Sequence, residues 1–264
     1  MASRFPFRLG APSYVYPADI VPNVVRLGPH VDDVELLLFE VRSPRDLPGE
    51  LTIAELSALA EEHALTYTVH LPLDLELASP DARLRDASLR VAQEVIGATR
   101  KLDPWAYVVH VGGAEDALSV SPAALDAWRD RAGRSLEALA KEVENPESLA
   151  VENLTDTEPP VVASLLERVP VSLCFDVGHA LKTGEDPLPF LRKHLDRIRV
   201  VHLHAAADGR DHLGLEQIDG SLLISLIDGF TAEAFRGVVT VEVFAEAPFF
   251  ESVEVLRGHV KGRW

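Results

Sequence analysis

Short runs of Val, Leu, Ile and aromatic side chains punctuate this chain, and between them apolar residues recur at steps of three and four. The runs at Phe7–Leu9, Val34–Phe39, Leu65–Val69, Ala106–Val109, Leu149–Val151, Val171–Phe175, Ile198–Val201 and Val238–Val241 are mostly apolar from end to end. That pattern predicts strands covered on both faces, as in a parallel sheet. The intervening segments predict helices. Thr52 and Glu55 have the spacing of a capping box ahead of Leu56, Leu59 and Ala60. Ser121 before Pro122 predicts an N-cap and a first-turn proline. Leu125, Trp128, Ala132, Leu136, Leu139 and Val143 then trace one inward stripe, and Leu84, Ala87, Val91, Val95, Ala98 and Leu102 trace another. Further helices are predicted near 18–28, 158–168, 187–195, 218–228 and 249–257.

Eight strands alternating with eight helices predict an α/β fold, a (β/α)8 TIM barrel, in a single domain over residues 1–264. The competing architecture is an open doubly wound sheet. Its dinucleotide-binding form calls for a Gly-rich turn after the first strand, and Gly10-Ala11-Pro12-Ser13-Tyr14 lacks that fingerprint.

Composition narrows the function classes. Lys and Arg number 25 against 42 Asp and Glu, a net charge of −17, and no Lys/Arg run marks a basic groove. Such a surface repels a phosphate backbone, so nucleic acid is not the expected partner. The lone Cys174 sits in an apolar run, which rules out an intramolecular disulfide framework and fits a cytoplasmic setting. No stretch has the length and apolarity of a membrane span, and the N-terminus has no signal-peptide core.

Candidate chemistry stands at the strand ends, which read Thr-Val-His70, Val-Val-His110, Ala-Val-Glu152, Cys-Phe-Asp176, Val-Val-His202 and Thr-Val-Glu242. In a barrel these ends converge on one mouth, where active sites sit. Three histidines and three carboxylates buried together need hydrogen bonds or cations, and mixed N/O ligands suit Zn²⁺ or Mn²⁺. Each residue alone has an ordinary structural reading; the joint placement carries the argument. Asp176-Val-Gly-His179 adds a histidine, and alternation turns His202 and His204 the same way. Asp208, Arg210, Asp211 and His212 crowd the loop that follows. His30, His63, His194 and His259 are assigned no role.

From His70 to Glu242 the sequence resembles the xylose-isomerase-like barrel superfamily, which includes sugar isomerases, epimerases and the endonuclease IV branch. The resemblance implies a core metal site of Glu152, Asp176, His202 and Glu242. The hydrolytic branch implies His70 and His110 sharing a second metal with Glu152, and His179 with His212 at a third. This chain reads Asp211-His212-Leu213-Gly214 where that branch has Asp-x-His, which puts the third site in question.

The segments Phe7-Arg-Leu-Gly-Ala-Pro-Ser-Tyr14-Val-Tyr16-Pro17 through Val24, and Val31-Asp-Asp-Val-Glu35 through Glu40, resemble cobamide-remodelling phosphodiesterases (CbiR-type). That resemblance implies hydrolysis of the nucleotide loop of adenosylated cobamides, with two or three divalent ions. Glu152, Asp176 and Glu242 are the expected catalytic carboxylates. Tyr14, Tyr16, His204 and Arg210 are the expected substrate contacts. The rival expectations are a sugar isomerase or epimerase using one metal, and a corrinoid-binding protein without catalysis.

Overall fold

The computed structural model describes residues 5–39 and 46–260. Glu40, which ends the second N-terminal match, lies outside the described residues. The strands are β1 (Arg8–Pro12), β2 (Asp33–Leu37), β3 (Thr66–His70), β4 (Ala106–His110), β5 (Leu149–Glu152), β6 (Ser172–Asp176), β7 (Ile198–Leu203), β8 (Ala205–Ala207), β9 (Arg210–Leu213) and β10 (Val238–Val241). Eight of them, β1 to β7 and β10, close into a parallel barrel in sequence order. The expected (β/α)8 barrel is therefore the fold. β8 and β9 form a separate antiparallel hairpin over the mouth, which the apolar pattern did not predict.

Helices α1 (Ile20–Leu27), α2 (Glu50–His63), α3 (Ala82–Thr99), α4 (Ala114–Val120), α5 (Pro122–Leu139), α6 (Pro159–Ala163), α7 (Val177–Lys182), α8 (Pro187–His194), α9 (Gly220–Ala232) and α10 (Glu246–Val260) lie between or after the strands. The α5 expectations hold. The Ser121 side chain accepts from Ala124 N at 3.1 Å, and Leu125, Trp128, Ala132, Leu136 and Leu139 are buried. The capping box does not form, because α2 starts three residues earlier, at Glu50 with Gly49 as its N-cap in place of Thr52. On α3 the buried face is Ser88, Ala92, Val95, Ile96 and Thr99, about one position round from the stripe expected, and Leu84 is exposed. Ser88 is buried because its Oγ accepts from Glu76 N at 2.8 Å, a polar anchor that a hydrophobic pattern hides.

The main core fills the space between the strands' outer faces and the helices, with Tyr67, Val69, Val109, Val151, Phe175, Val201 and Val239 pointing into it. A smaller cluster inside the barrel consists of Ala106, Val108, Ala150, Cys174 and Val200. Cys174 is packed in this cluster and is also close enough to Glu152 and His202 to share a ligand trio with them. Gly10 is required by closure: a Cβ there would come within 2.8 Å of Thr240 Oγ1 and Val238 Cγ1 on the neighbouring strand. Above the inner cluster the barrel interior turns polar, and there the site begins.

Candidate metal centre

Pairing register sets the rim. His110 lies level with Glu152 and Asp176 with His202, so adjacent strands deliver their terminal side chains at one height. All six strand-end residues named from the sequence meet there, His110 half-buried and the rest buried. Glu152 is the hub. Its Oε2 faces His70 Nε2 at 3.2 Å and His110 Nε2 at 3.1 Å, while Oε1 faces His202 Nδ1 at 3.4 Å and His179 Nδ1 at 3.6 Å. One carboxylate thus presents each oxygen to a different histidine pair. Glu242 Oε2 lies 3.4 Å from His202 Nδ1 and 3.4 Å from His212 Nδ1.

Hydrogen bonding around the rings says what these nitrogens can do. His70 Nδ1 lies 2.7 Å from the Leu71 carbonyl, an acceptor that requires the proton on Nδ1. In the neutral ring Nε2 then carries a lone pair, which would face a carboxylate oxygen at 3.2 Å. His202 repeats the pattern: Nε2 donates to Glu35, and Nδ1 turns toward Glu152 and Glu242. Lone pair against anion is repulsive unless a proton or a cation lies between them. Among the described residues, His202 Nδ1, His212 Nδ1 and Glu242 Oε2 are buried atoms without an aligned hydrogen bond. Five overlapping trios of ligand atoms within 4.8 Å of one another could hold an ion, among them His70/His110/Glu152, Asp176/His202/Glu242 and His179/His204/His212. The donor set fits divalent cations.

Charge balance points the same way. Burial opposes ionisation of Glu152, but His202 and His110 beside it hold its carboxyl well below the ordinary value. Asp176 is likewise buried and is held low by His204 and His202, and Glu242 is held low by His202 and His212. Burial also disfavours protonating His204, yet the Asp176 carboxylate outweighs it and pushes the ring up to about 9. Without a cation these charges favour protonated histidines beside the carboxylates, protons that a bound cation would displace.

Supporting residues absent from the sequence reading fix the ligands. Asn153 ties β5 to β6: its Oδ1 accepts from Asp176 N at 2.8 Å, its Nδ2 donates to Asp176 O at 2.9 Å, and its carbonyl accepts from His179 Nδ1 at 3.0 Å. Asp176 also caps α7, its Oδ1 accepting from His179 N at 2.6 Å. Gly178 is set by space rather than backbone angle, since a Cβ there would sit 1.9 Å from His204 Cε1. Asp-x-Gly-His is therefore a unit: aspartate as candidate ligand and as cap, glycine as the floor under His204, histidine turned back to the rim.

The expected substrate contacts separate. Tyr14 is exposed beside Phe39, whose ring packs edge-on against His70. Tyr16 is buried, and Arg26 lies 3.5 Å over one face of its ring, so that face is already covered. His204 is fully buried on Asp176 at 3.2 Å rather than lining an open surface, and Arg210 is exposed at the hairpin turn. Asp211 points away from the cluster to Lys182 Nζ at 2.6 Å. His30 and His194 pack against Phe250 and Phe190 outside the site.

A cavity of about 800 Å³ opens beside His110, between the loops that follow β3 and β4. Leu73, Leu75, Pro80, Val120, Trp128 and Leu154 form much of its wall. Asp74, Glu76, Asp116 and Asp156 also line it, and among its described lining residues Arg131 is the one Lys or Arg.

This geometry can be set beside known proteins. Residues 23–259 match the family model described as xylose isomerase-like TIM barrel. The chain belongs to that family. Within the xylose isomerase-like family the similarities point to more than one activity. A protein named "Probable endonuclease 4" from Mycobacterium tuberculosis is 27% identical over 235 residues, covering 81% of this chain and 87% of the relative. Among solved structures, a D-tagatose 3-epimerase-like protein superposes with a TM-score of 0.79 at 20% identity, over 96% of this chain and 97% of that one. Endonuclease IV from Thermus thermophilus gives 0.70 at 19% identity, over 97% and 99%. At these identities the structural likeness establishes the fold. No helix among the described residues is long and apolar enough to cross a membrane.

Proposed function

We propose that this protein is a metal-dependent hydrolase of a small-molecule phosphodiester, with the nucleotide loop of an adenosylated cobamide as the specific candidate substrate. The observation that carries the reading is the division of Glu152, one oxygen toward His70 and His110 and the other toward His202 and His179. A single-cation isomerase needs only Glu152, Asp176, His202 and Glu242 and leaves the early histidine pair without a task. Bound divalent ions would polarise the phosphoryl oxygens and activate water. Glu152 would bridge the two loci, Asp176 and Glu242 would orient the attacking water, and His70 and His110 would hold the outer locus next to the cavity.

The cavity supports a compact, largely apolar substrate. Its volume suits a cofactor-sized ligand, and its carboxylates oppose a polyanionic strand. The cobamide itself rests on the N-terminal resemblance. Tyr14, exposed beside Phe39, would be the aromatic to meet a base.

Metal-stripped protein is reloaded with Zn²⁺ or Mn²⁺ and incubated with adenosylcobalamin, abasic-site DNA and a panel of ketohexoses, and products are separated by mass. The expected result is cleavage of the cobamide phosphodiester. His70→Ala and His110→Ala should each lose about one equivalent of metal and lower turnover by at least about a hundredfold. Epimerised sugar, made equally well by both variants, would establish the isomerase instead; its support is that the four late-strand ligands form a complete site alone. Incised DNA would return the protein to the endonuclease branch, and bound but intact cobamide would make it a carrier.

A further inference from the structure

Glu35 is a fully buried carboxylate in the middle of β2, below the rim and outside every ligand trio. Both of its oxygens lie 3.1 Å from His202 Nε2, and Oε2 also accepts from Thr240 Oγ1 at 3.0 Å. The three residues come from β2, β7 and β10, so this contact exists only because the barrel closes. A carboxylate placed there incurs a desolvation cost that an apolar residue would avoid. Packing gives no reason for it, whereas the ring above it does.

An imidazole has two nitrogens, and whichever carries the proton is fixed by what the other side of the ring meets. Glu35 occupies Nε2 with both oxygens, so Nε2 carries a proton and Nδ1 is the nitrogen left to face a cation. Nδ1 is the atom aimed at Glu152 Oε1 and Glu242 Oε2, at 3.4 Å each, and at Asp176 Oδ2 at 3.8 Å. The rotor cannot turn away, because Glu35 grips Nε2 with two oxygens and Thr240 holds Glu35.

We infer that Glu35 is the positioning residue of the late-strand cation locus, fixing His202 with Nδ1 free to ligate. Thr240 is its anchor. The assignment rests on the reading of the cluster as a metal centre. It also divides the site, since the hydrogen bonds of His70 and His110 go to Leu71 and Glu152 and not to Glu35, so the outer locus should lose far less than the late-strand one.

The test is equilibrium dialysis of metal-stripped protein against Co²⁺, with metal content by elemental analysis and the visible absorption of the bound ion as reporter. Wild type, Glu35→Gln, Glu35→Ala, Thr240→Val and His202→Ala are compared, with circular dichroism to confirm folding. Glu35→Gln preserves shape and can still accept from Nε2, so about a tenfold loss of affinity at one locus is expected, with an altered Co²⁺ spectrum. Glu35→Ala should lose about a hundredfold at the same locus and approach His202→Ala, while the other locus loses far less. Thr240→Val should lie between wild type and Glu35→Gln. Glu35 variants that are merely less stable, with wild-type Co²⁺ content and spectrum, would reduce the contact to a structural ion pair and overturn the assignment. Wild type that binds no Co²⁺ would overturn the metal reading itself, an outcome visible without any variant. Should Glu35→Ala not fold, the isosteric Glu35→Gln decides.

Discussion

Asp33 shows what a single residue inside the barrel costs. It is fully buried on β2, with Oδ2 2.5 Å from Thr66 Oγ1 and Oδ1 accepting from Thr68 N at 3.2 Å. Burial outweighs those contacts and pushes its carboxyl up to about 7 from 3.8. The sign follows from linkage. Below about pH 4 the group is protonated in both states and contributes nothing; between about 4 and 7 the unfolded chain ionises while the folded one stays neutral, so stability falls as pH rises, then levels. The full effect is at most about 4 kcal/mol, at roughly 1.36 kcal/mol per unit. Asp33→Asn should match wild type near pH 4 and exceed it by up to about that amount near pH 8 in urea melts of metal-free protein. Parallel pH curves would show that Asp33 is ionised in the fold. Glu35, two residues on, was within the N-terminal resemblance but carried no readable role, because its partner His202 is 167 positions away. A charge inside an apolar run is the signal such a residue leaves, and only closure of the barrel says what it meets. The strand-end cluster was legible because alternating βα units already imply a shared mouth. Asn153 and Gly178 were not, since their work is done on backbone groups and empty space.

Among elements, the hairpin of β8 and β9 departs most from the sequence reading. Its three-residue first strand is too short to stand out beside β7, and the hairpin holds Asp208 and His212 at φ of 53° and 52°, a conformation uncommon for non-glycine residues. That backbone brings the His212 ring against His204 at 4.3 Å and Phe244 at 4.8 Å. The same hairpin sends Asp211 outward to Lys182 on α7. The adjacent Asp-His spacing, which put a third metal site in question, thus has a structural answer: the left-handed backbone at His212 turns its ring to the cluster while Asp211 reaches the surface. Asp211→Ala should therefore keep the wild-type metal content. A half-exposed ion pair contributes no more than about 1 kcal/mol, so global stability should barely move. What should change is local: amides of 205–213 should exchange hydrogen faster while the barrel strands keep their protection. Loss of one metal equivalent in this variant would instead make Asp211 a ligand.

Across the whole molecule, two kinds of negative charge behave differently. Most of the acidic side chains behind the net −17 lie on a solvated surface, where salt screens them within about 10 Å at roughly 0.1 M. Glu35, Glu152, Asp176 and Glu242 are buried together in the barrel mouth, out of reach of that screening. Cations bound in the mouth stabilise only the folded state, because the unfolded chain scatters the ligands. At free metal about a hundredfold above the dissociation constant this linkage is worth about 2.7 kcal/mol. For a chain of this size it corresponds to a rise in Tm of roughly 5–10 °C. Removing the ions with a chelator should lower Tm by that amount. The decisive feature is how the gap responds to salt. Raising NaCl from about 0.05 to about 0.5 M should lift both forms by screening surface repulsion and leave the difference between them nearly constant. A gap that closes with salt would mean the added metal acts as a counterion to the acidic surface, and the cluster at the mouth would then be a proton-holding core network and not a metal centre.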